Sequence, residues 1–132
     1  VRNPWDRAVS CYYQKIVGNG KSALMQHGFR KDMSFEEFVK HVHASPDLKE
    51  AHVRDQVNDM FCKGEFIPER VIRVEDLEQE WPDVQAMFPG LPDLDRLNTS
   101  AHPPYRECYT EETRALIAER YKRDIEVFGY EY

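Results

Sequence analysis

Val1-Arg2-Asn3-Pro4-Trp5-Asp6-Arg7-Ala8-Val9-Ser10-Cys11-Tyr12-Tyr13 opens the chain, and its first six residues decide how the rest is read. Asn3 is a preferred N-cap, because its carboxamide oxygen can accept from the first free amides of a helix. Pro4 loses nothing at the first helical position, where its missing N–H would have had no intrahelical partner. Asp6, in the first turn, complements the positive end of the helix dipole. The pattern predicts a helix from Pro4 to Val17, stopped by the breaker cluster Gly18-Asn19-Gly20. Val1-Arg2 reads as the end of a strand that feeds this helix, so the chain is expected to begin inside a domain.

Outward from that start, residues 18 to 33 read as a polar connector. Ser34-Phe35-Glu36-Glu37 is a capping box that opens a second helix, with Phe35, Phe38, Val39 and Val42 on one face and Ser45-Pro46 at its end. Leu48 to Lys63 is ambiguous, with weak helical spacing at Val53, Val57, Met60 and Phe61. Arg70-Val71-Ile72-Arg73-Val74 is the best strand pattern in the chain, and it leads through Glu75-Asp76 into a helical stripe at Leu77, Trp81, Val84 and Phe88. An irregular stretch from Pro92 to Cys108 precedes a last helix capped by Thr110, striped by Ile117, Tyr121, Ile125 and Phe128, and stopped by Gly129. Strands leading directly into helices predict an α/β fold with a parallel sheet, mostly helical in this segment. Two strands are too few for a sheet, so unpaired edges predict self-association.

Composition narrows the function. The 132 residues carry 18 Lys+Arg against 24 Asp+Glu, a net charge of −6. That balance argues against a nucleic-acid binder, which needs excess cations on one face, so any anion must be gripped by a few placed groups. Apolar runs are only a few residues long, far short of the roughly 20 needed to cross a bilayer, so this chain has no membrane segment. An aromatic share of 12% is too rich for a disordered acidic segment. Three cysteines, Cys11, Cys62 and Cys108, exclude a dense disulfide framework and read as free thiols, with one Cys62–Cys108 bridge as the alternative. No metal site emerges, because His41 and His43 stand two apart and point to different faces of a helix.

Arg2, Arg7 and Ser10 form the densest group of anion-binding side chains. A strand that delivers Arg2 to the start of a capped helix sets a cation beside backbone N–H groups. Arg7 and Ser10 follow at a spacing that shares a face with Asn3. Each charge-assisted hydrogen bond from such a group contributes about 1.5 to 3 kcal/mol.

The same run resembles the motif with which sulfotransferases bind the 3′-phosphate of 3′-phosphoadenosine 5′-phosphosulfate (PAPS), in the R-[DN]-P-x-x-R-x-x-S form of the carbohydrate sulfotransferases. Ser34 to Val39 resembles the family's S-F-x-x-F-[VL] helix start. His52-Val53-Arg54-Asp55-Gln56 is similar to its H-x-x-P-Q element, with Asp55 in place of proline. Val74-Glu75-Asp76-Leu77 resembles [YR]-x-E-[DN]-L after a strand, Leu97-Asn98-Thr99-Ser100 resembles L-N-x-S, and Tyr121 to Asp124 with Phe128-Gly129-Tyr130 resembles the closing Y-x-x-D…F-G-Y helix. Order and spacing agree over essentially the whole chain.

The resemblance implies a P-loop-like three-layer fold and transfer of a sulfuryl group from PAPS, without a metal, to a carbohydrate or another small acceptor bearing a hydroxyl or amine. It implies that Arg2 and Ser10 bind the 3′-phosphate, that Arg7 holds that helix and phosphate region, and that Asn98, Thr99, Ser100 and Tyr105 close over the nucleotide. His52, Gln56 and Glu75 are the acceptor-side candidates. The family's lysine-containing 5′-phosphosulfate loop, and its general base, precede the 3′-phosphate motif. Gly18-Asn19-Gly20-Lys21-Ser22 follows a helix and lacks that loop's spacing, so it reads as a helix stop. The chain is therefore expected to be the C-terminal portion of a catalytic domain and inactive by itself. The alternative is a non-catalytic nucleotide-binding or interaction module derived from the same fold.

Overall fold

Asn3 caps the first helix as its place before Pro4 predicts. In the computed structural model, which describes residues 1–18, 22–95 and 102–132, its side-chain oxygen accepts from the amides of Trp5 at 3.0 Å and Asp6 at 3.5 Å. Helix α1 spans Pro4–Tyr12 and widens into a π-helical turn over Tyr13–Val17. Lys31 then closes its C-terminal end by donating to the carbonyls of Lys15 and Gly18. Asn19, Gly20 and Lys21 lie outside the described residues.

The capping box at Ser34 is formed in both directions, with the Ser34 amide donating to Glu37 at 2.7 Å and the Glu37 amide to the Ser34 hydroxyl at 3.2 Å. Helix α2, Phe35–His43, buries Phe38, Val39 and Val42 on the predicted face. The connector before it is less polar in effect than in sequence. It makes a 3-10 turn at Ala23–His27 and delivers Leu24, Phe29 and Met33 to the core. Phe38, with no exposure at all, is tilted against Phe29 and Tyr12 at ring distances of 5.6 Å each. Each fully buried side chain of this kind contributes roughly 1.5 to 3 kcal/mol.

After α2 the chain turns through a 3-10 segment, Gln56–Met60, into a hairpin of β1, Phe61–Cys62, and β2, Glu65–Phe66. Lys63 and Gly64 both have positive φ, 51° and 86°, the geometry of the two-residue turn that matches the twist of paired strands. This hairpin has no period-2 pattern long enough to be read from sequence. Helix α3 spans Leu77–Met87, and α4 is a single turn at Tyr105–Cys108. The closing helix divides in two, α5 at Glu111–Arg120 and α6 at Lys122–Phe128, joined at Tyr121 and ended by Gly129 at φ 64°. Ile117, Tyr121 and Phe128 of the predicted stripe are buried. Helix α5 lies against both α1 and α2 and completes the main core.

The sheet departs from expectation. Arg70 to Arg73 forms no strand, and among the described residues the regular pairing is the antiparallel hairpin alone. What remains of a parallel arrangement is one pair of hydrogen bonds: the Val1 nitrogen donates to the Ile72 carbonyl at 2.8 Å, and the Val74 amide donates to the Val1 carbonyl at 2.7 Å. These straddle Arg73 in the slanted manner of parallel neighbours. The next contact along the run is made by a side chain, Glu75, so no ladder extends. Helix α3 also differs, since none of its residues is buried and Phe88 is 58% exposed. Pro82 lies inside it and removes a hydrogen bond from a helix that little packing supports. Among the described residues no helix is long and apolar enough to cross a membrane.

All three cysteines are free. Cys11 is buried in the core, and burial pushes its thiol up to about 12, whereas Cys62 is exposed at the hairpin. A thiol reagent at pH 8 is therefore expected to modify Cys62 in the native protein and Cys11 only after denaturant is added. Mass spectrometry of timed samples checks this, and native modification of Cys11 at the rate of Cys62 would contradict its placement.

Candidate functional site

Residues 1 to 3 form a short extended run, and successive backbone groups of such a run face opposite sides. Val1 faces Ile72 and Val74, and the Asn3 amide donates to Glu75 Oε1 at 2.7 Å on the same side. Arg2 faces the other way, where Gln56 accepts from its amide at 2.9 Å and donates to its carbonyl at 2.8 Å. The Asn3 side chain, besides capping α1, donates to the Glu131 carbonyl at 2.9 Å and ties the start of the chain to its end.

From this fixed backbone the Arg2 side chain runs along α1. Its Nε donates to Asp6 Oδ2 at 2.7 Å, with the two side chains 30% and 22% exposed. Within α1, Asp6 and Ser10 share a face at the four-residue spacing, and the ion pair brings the Arg2 guanidinium to the Asp6 end of that face. Ser10 is half-buried there. A partly solvated pair of this spacing contributes only about 0.3 to 0.5 kcal/mol, so Asp6 orients Arg2 while adding little to stability. Sequence reasoning treated Asp6 as a dipole complement and missed this role. The four-residue spacing from Arg2 was the signal that could have found it.

The anion site expected at the tip of the helix is not built from backbone amides. Pro4 has none, the Trp5 and Asp6 amides are capped by Asn3, the Arg7 amide donates to the Asn3 carbonyl, and the Asn3 amide belongs to Glu75. An anion here meets side chains.

Arg7 is placed away from the Arg2 face. Its Nη1 donates to the Arg54 carbonyl at 2.8 Å and its Nη2 to the Ala51 carbonyl at 3.0 Å, and the guanidinium lies 5.7 Å from the centre of the Tyr121 ring. Both terminal nitrogens are thus spent on the turn before Gln56. Of the expected tasks, holding the helix is the one this geometry performs.

The acceptor-side candidates are engaged within the protein. His52 donates through its backbone and meets Glu50 with its ring Nδ1, both at 2.7 Å. Gln56 is spent on Arg2 and on Asp124, the side chain that also receives the Gln56 and Val57 amides at 2.9 Å each. Glu75 takes Asn3 on one oxygen and the Tyr130 hydroxyl on the other at 3.2 Å. His52 and Gln56, four apart, therefore do not act as a pair on a common face. Asp55, standing where the family pattern has proline, forms an ion pair with the buried Arg120. That partner gives the substitution a structural reason.

Of the nucleotide-closing candidates, Asn98, Thr99 and Ser100 lie outside the described residues. Tyr105 is half-buried in α4, its hydroxyl accepting from Arg106 Nε at 3.1 Å and its ring edge-on to Tyr132 at 5.7 Å. A cavity of about 310 Å³ brings Tyr105 beside Asn3, Arg73, Glu75, Arg106 and Tyr130. Burial and the adjacent Glu75 carboxylate push the Tyr130 hydroxyl well above the usual tyrosine range, so it acts there as a donor.

The family model described as Sulfotransferase family matches residues 1–131. This chain belongs to the sulfotransferase family. No curated protein and no solved structure matches it. The motif elements of the sulfotransferase chain are thus joined in space by hydrogen bonds: the Arg2 run to Gln56, Gln56 to Asp124, and Asn3 to Glu75.

Two outcomes follow for stability. Arg7→Ala removes two hydrogen bonds to carbonyls and a cation–ring contact, and should cost about 1 to 3 kcal/mol, read as a lower Tm, with Arg7→Lys restoring only part. Burial alone would raise Glu50, yet the hydrogen bonds from the His52 side chain and backbone outweigh it and hold the carboxyl below its ordinary value of 4.5. The contribution is complete above that value and is lost as pH falls through the lower folded-state value. Thermal melts across the acid range should therefore show a loss that Glu50→Gln flattens.

Proposed function

We propose that this sulfotransferase uses PAPS as donor, binds its 3′-phosphate with Arg2 and Ser10, and transfers the sulfuryl group to a hydroxyl or amine of a carbohydrate or similar small acceptor. The observation that carries the reading is the direction of Arg2. The Arg2 backbone is fixed by Gln56 and its Nε is held by Asp6, which supports a partly solvated guanidinium preset beside the start of α1, and Ser10 follows Asp6 by one helical turn. A guanidinium offers five donors in a planar fork, so a phosphate can take the outer ones while Asp6 keeps Nε.

PAPS supplies the sulfuryl group on its 5′ side. On this reading Arg2 and Ser10 hold the far end of the donor, so their contribution is to binding and orientation, which a transfer of this kind depends on heavily. Arg7 enters as a strut for α1, and Tyr105 as a wall on the α4 side. The carbohydrate acceptor rests on the R-[DN]-P-x-x-R-x-x-S form of the motif. His52, Gln56 and Glu75, all engaged elsewhere, are not given an acceptor contact. No residue of this chain is assigned as the general base.

Adenosine 3′,5′-bisphosphate should raise the Tm of the protein by mass action, while 5′-AMP raises it much less. Arg2→Ala should weaken the bisphosphate by about 10- to 100-fold, the equivalent of one charge-assisted hydrogen bond, at little cost in stability. Equal thermal shifts from the two nucleotides would remove the 3′-phosphate assignment.

A further inference from the structure

The Arg2 backbone is held by a side chain standing where a neighbouring strand would be. A primary amide carries a donor and an acceptor at the spacing of a peptide group, and Gln56 uses both on one residue, accepting from the Arg2 amide and donating to its carbonyl. Gln56 is in turn held by Asp124, which has no solvent exposure and sits in the first turn of α6. One Asp124 oxygen receives the Gln56 amide at 2.9 Å and lies 3.4 Å from its Nε2, while the other receives the Val57 amide at 2.9 Å. The carboxylate thus orients the amide that orients the arginine.

We infer that Gln56, set by Asp124, is a positioning residue for nucleotide binding: it fixes the Arg2 backbone so that the guanidinium leaves it toward the 3′-phosphate. This rests on the reading of Arg2 as a ligand of that phosphate. A long arginine loses considerable rotamer freedom on binding, and less remains to be lost when its backbone and Nε are held beforehand. A shift of about 1 Å in the backbone would move the outer donors off a phosphate oxygen, which is enough to cost tens-fold in a positioned interaction.

The test is a double-mutant cycle on the full chain, with affinities for adenosine 3′,5′-bisphosphate and 5′-AMP measured by calorimetry in the native protein, Arg2→Ala, Gln56→Met and the double variant. Gln56→Met keeps the volume and removes both hydrogen bonds. It should weaken the bisphosphate about ten-fold, leave 5′-AMP unchanged, and have less than about a two-fold effect once Arg2 is alanine, because the two residues act through one contact. Gln56→Asn, which keeps the amide but shortens its reach to Arg2 while leaving the Gln56 and Val57 backbone amides on Asp124, should show the same selective loss and carries the test should Gln56→Met fail to fold. Loss of both nucleotides in parallel, no loss, or a loss undiminished in the Arg2→Ala background would overturn the positioning role while leaving Arg2 as ligand. Arg2→Ala with unchanged bisphosphate affinity would overturn both.

Discussion

The buried carboxylate of Asp124 is the constraint on which the arrangement around Arg2 depends. A carboxylate without solvent access is costly unless its oxygens are hydrogen-bonded, and here both are satisfied by amides of a segment 67 and 68 residues earlier in the chain. That pairing fixes α6 against the Gln56–Met60 turn. Through Gln56 it also fixes the extended run at residues 1 to 3, which fixes the start of α1. The beginning, middle and end of the chain are thereby held in one register by polar contacts, beside the apolar core.

The apolar core has a different task. Phe38, Val39 and Val42 of α2, Ile117 and Tyr121 at the end of α5, and Trp5, Ala8 and Cys11 of α1 supply nondirectional cohesion. Tyrosines at its edge add direction, with the Tyr121 hydroxyl donating to the Val53 carbonyl and that of Tyr109 to the Trp5 carbonyl, both at 2.8 Å. Burial pushes both hydroxyls far above their ordinary range, so they remain donors at any working pH. Arg7 and Arg120 do similar work on the turn before Gln56, donating to the carbonyls of Ala51, Val53 and Arg54. Arg7 and Arg120, on α1 and α5, therefore serve the fold.

Helix α3 and the segment before it stand apart from this framework. Val74, Met87 and Phe88 are each more than half exposed, and α3 is steadied by polar contacts such as Trp81 Nε1 on the Pro92 carbonyl at 3.1 Å. The contrast with α2 is instructive, because both helices show an apolar stripe in sequence. Periodicity reports which face of a helix is apolar, and only the surroundings report whether that face is covered.

Local signals determined the parts of this protein that depend on neighbours in sequence: the Asn3-Pro4 start of α1, the capping box at Ser34, the Thr110 cap, the glycine stop at Gly129, and the family to which the motifs belong. These rest on hydrogen bonds and dihedral preferences spanning a few residues, which any sequence displays directly. Tertiary structure alone decided what the polar residues do. Arg7, His52, Gln56 and Glu75 carry the same donors and acceptors whether they face a ligand or another segment. The partners of Arg7, Gln56 and Glu75, namely Ala51 and Arg54 across 44 and 47 residues, Arg2 across 54, and Asn3 across 72, are chosen by the packing of distant elements, whereas His52 turns to Glu50 only two residues away. The same reason undid the expected sheet, since Arg70 to Val74 has the composition of a strand but a strand exists only with a partner along its length.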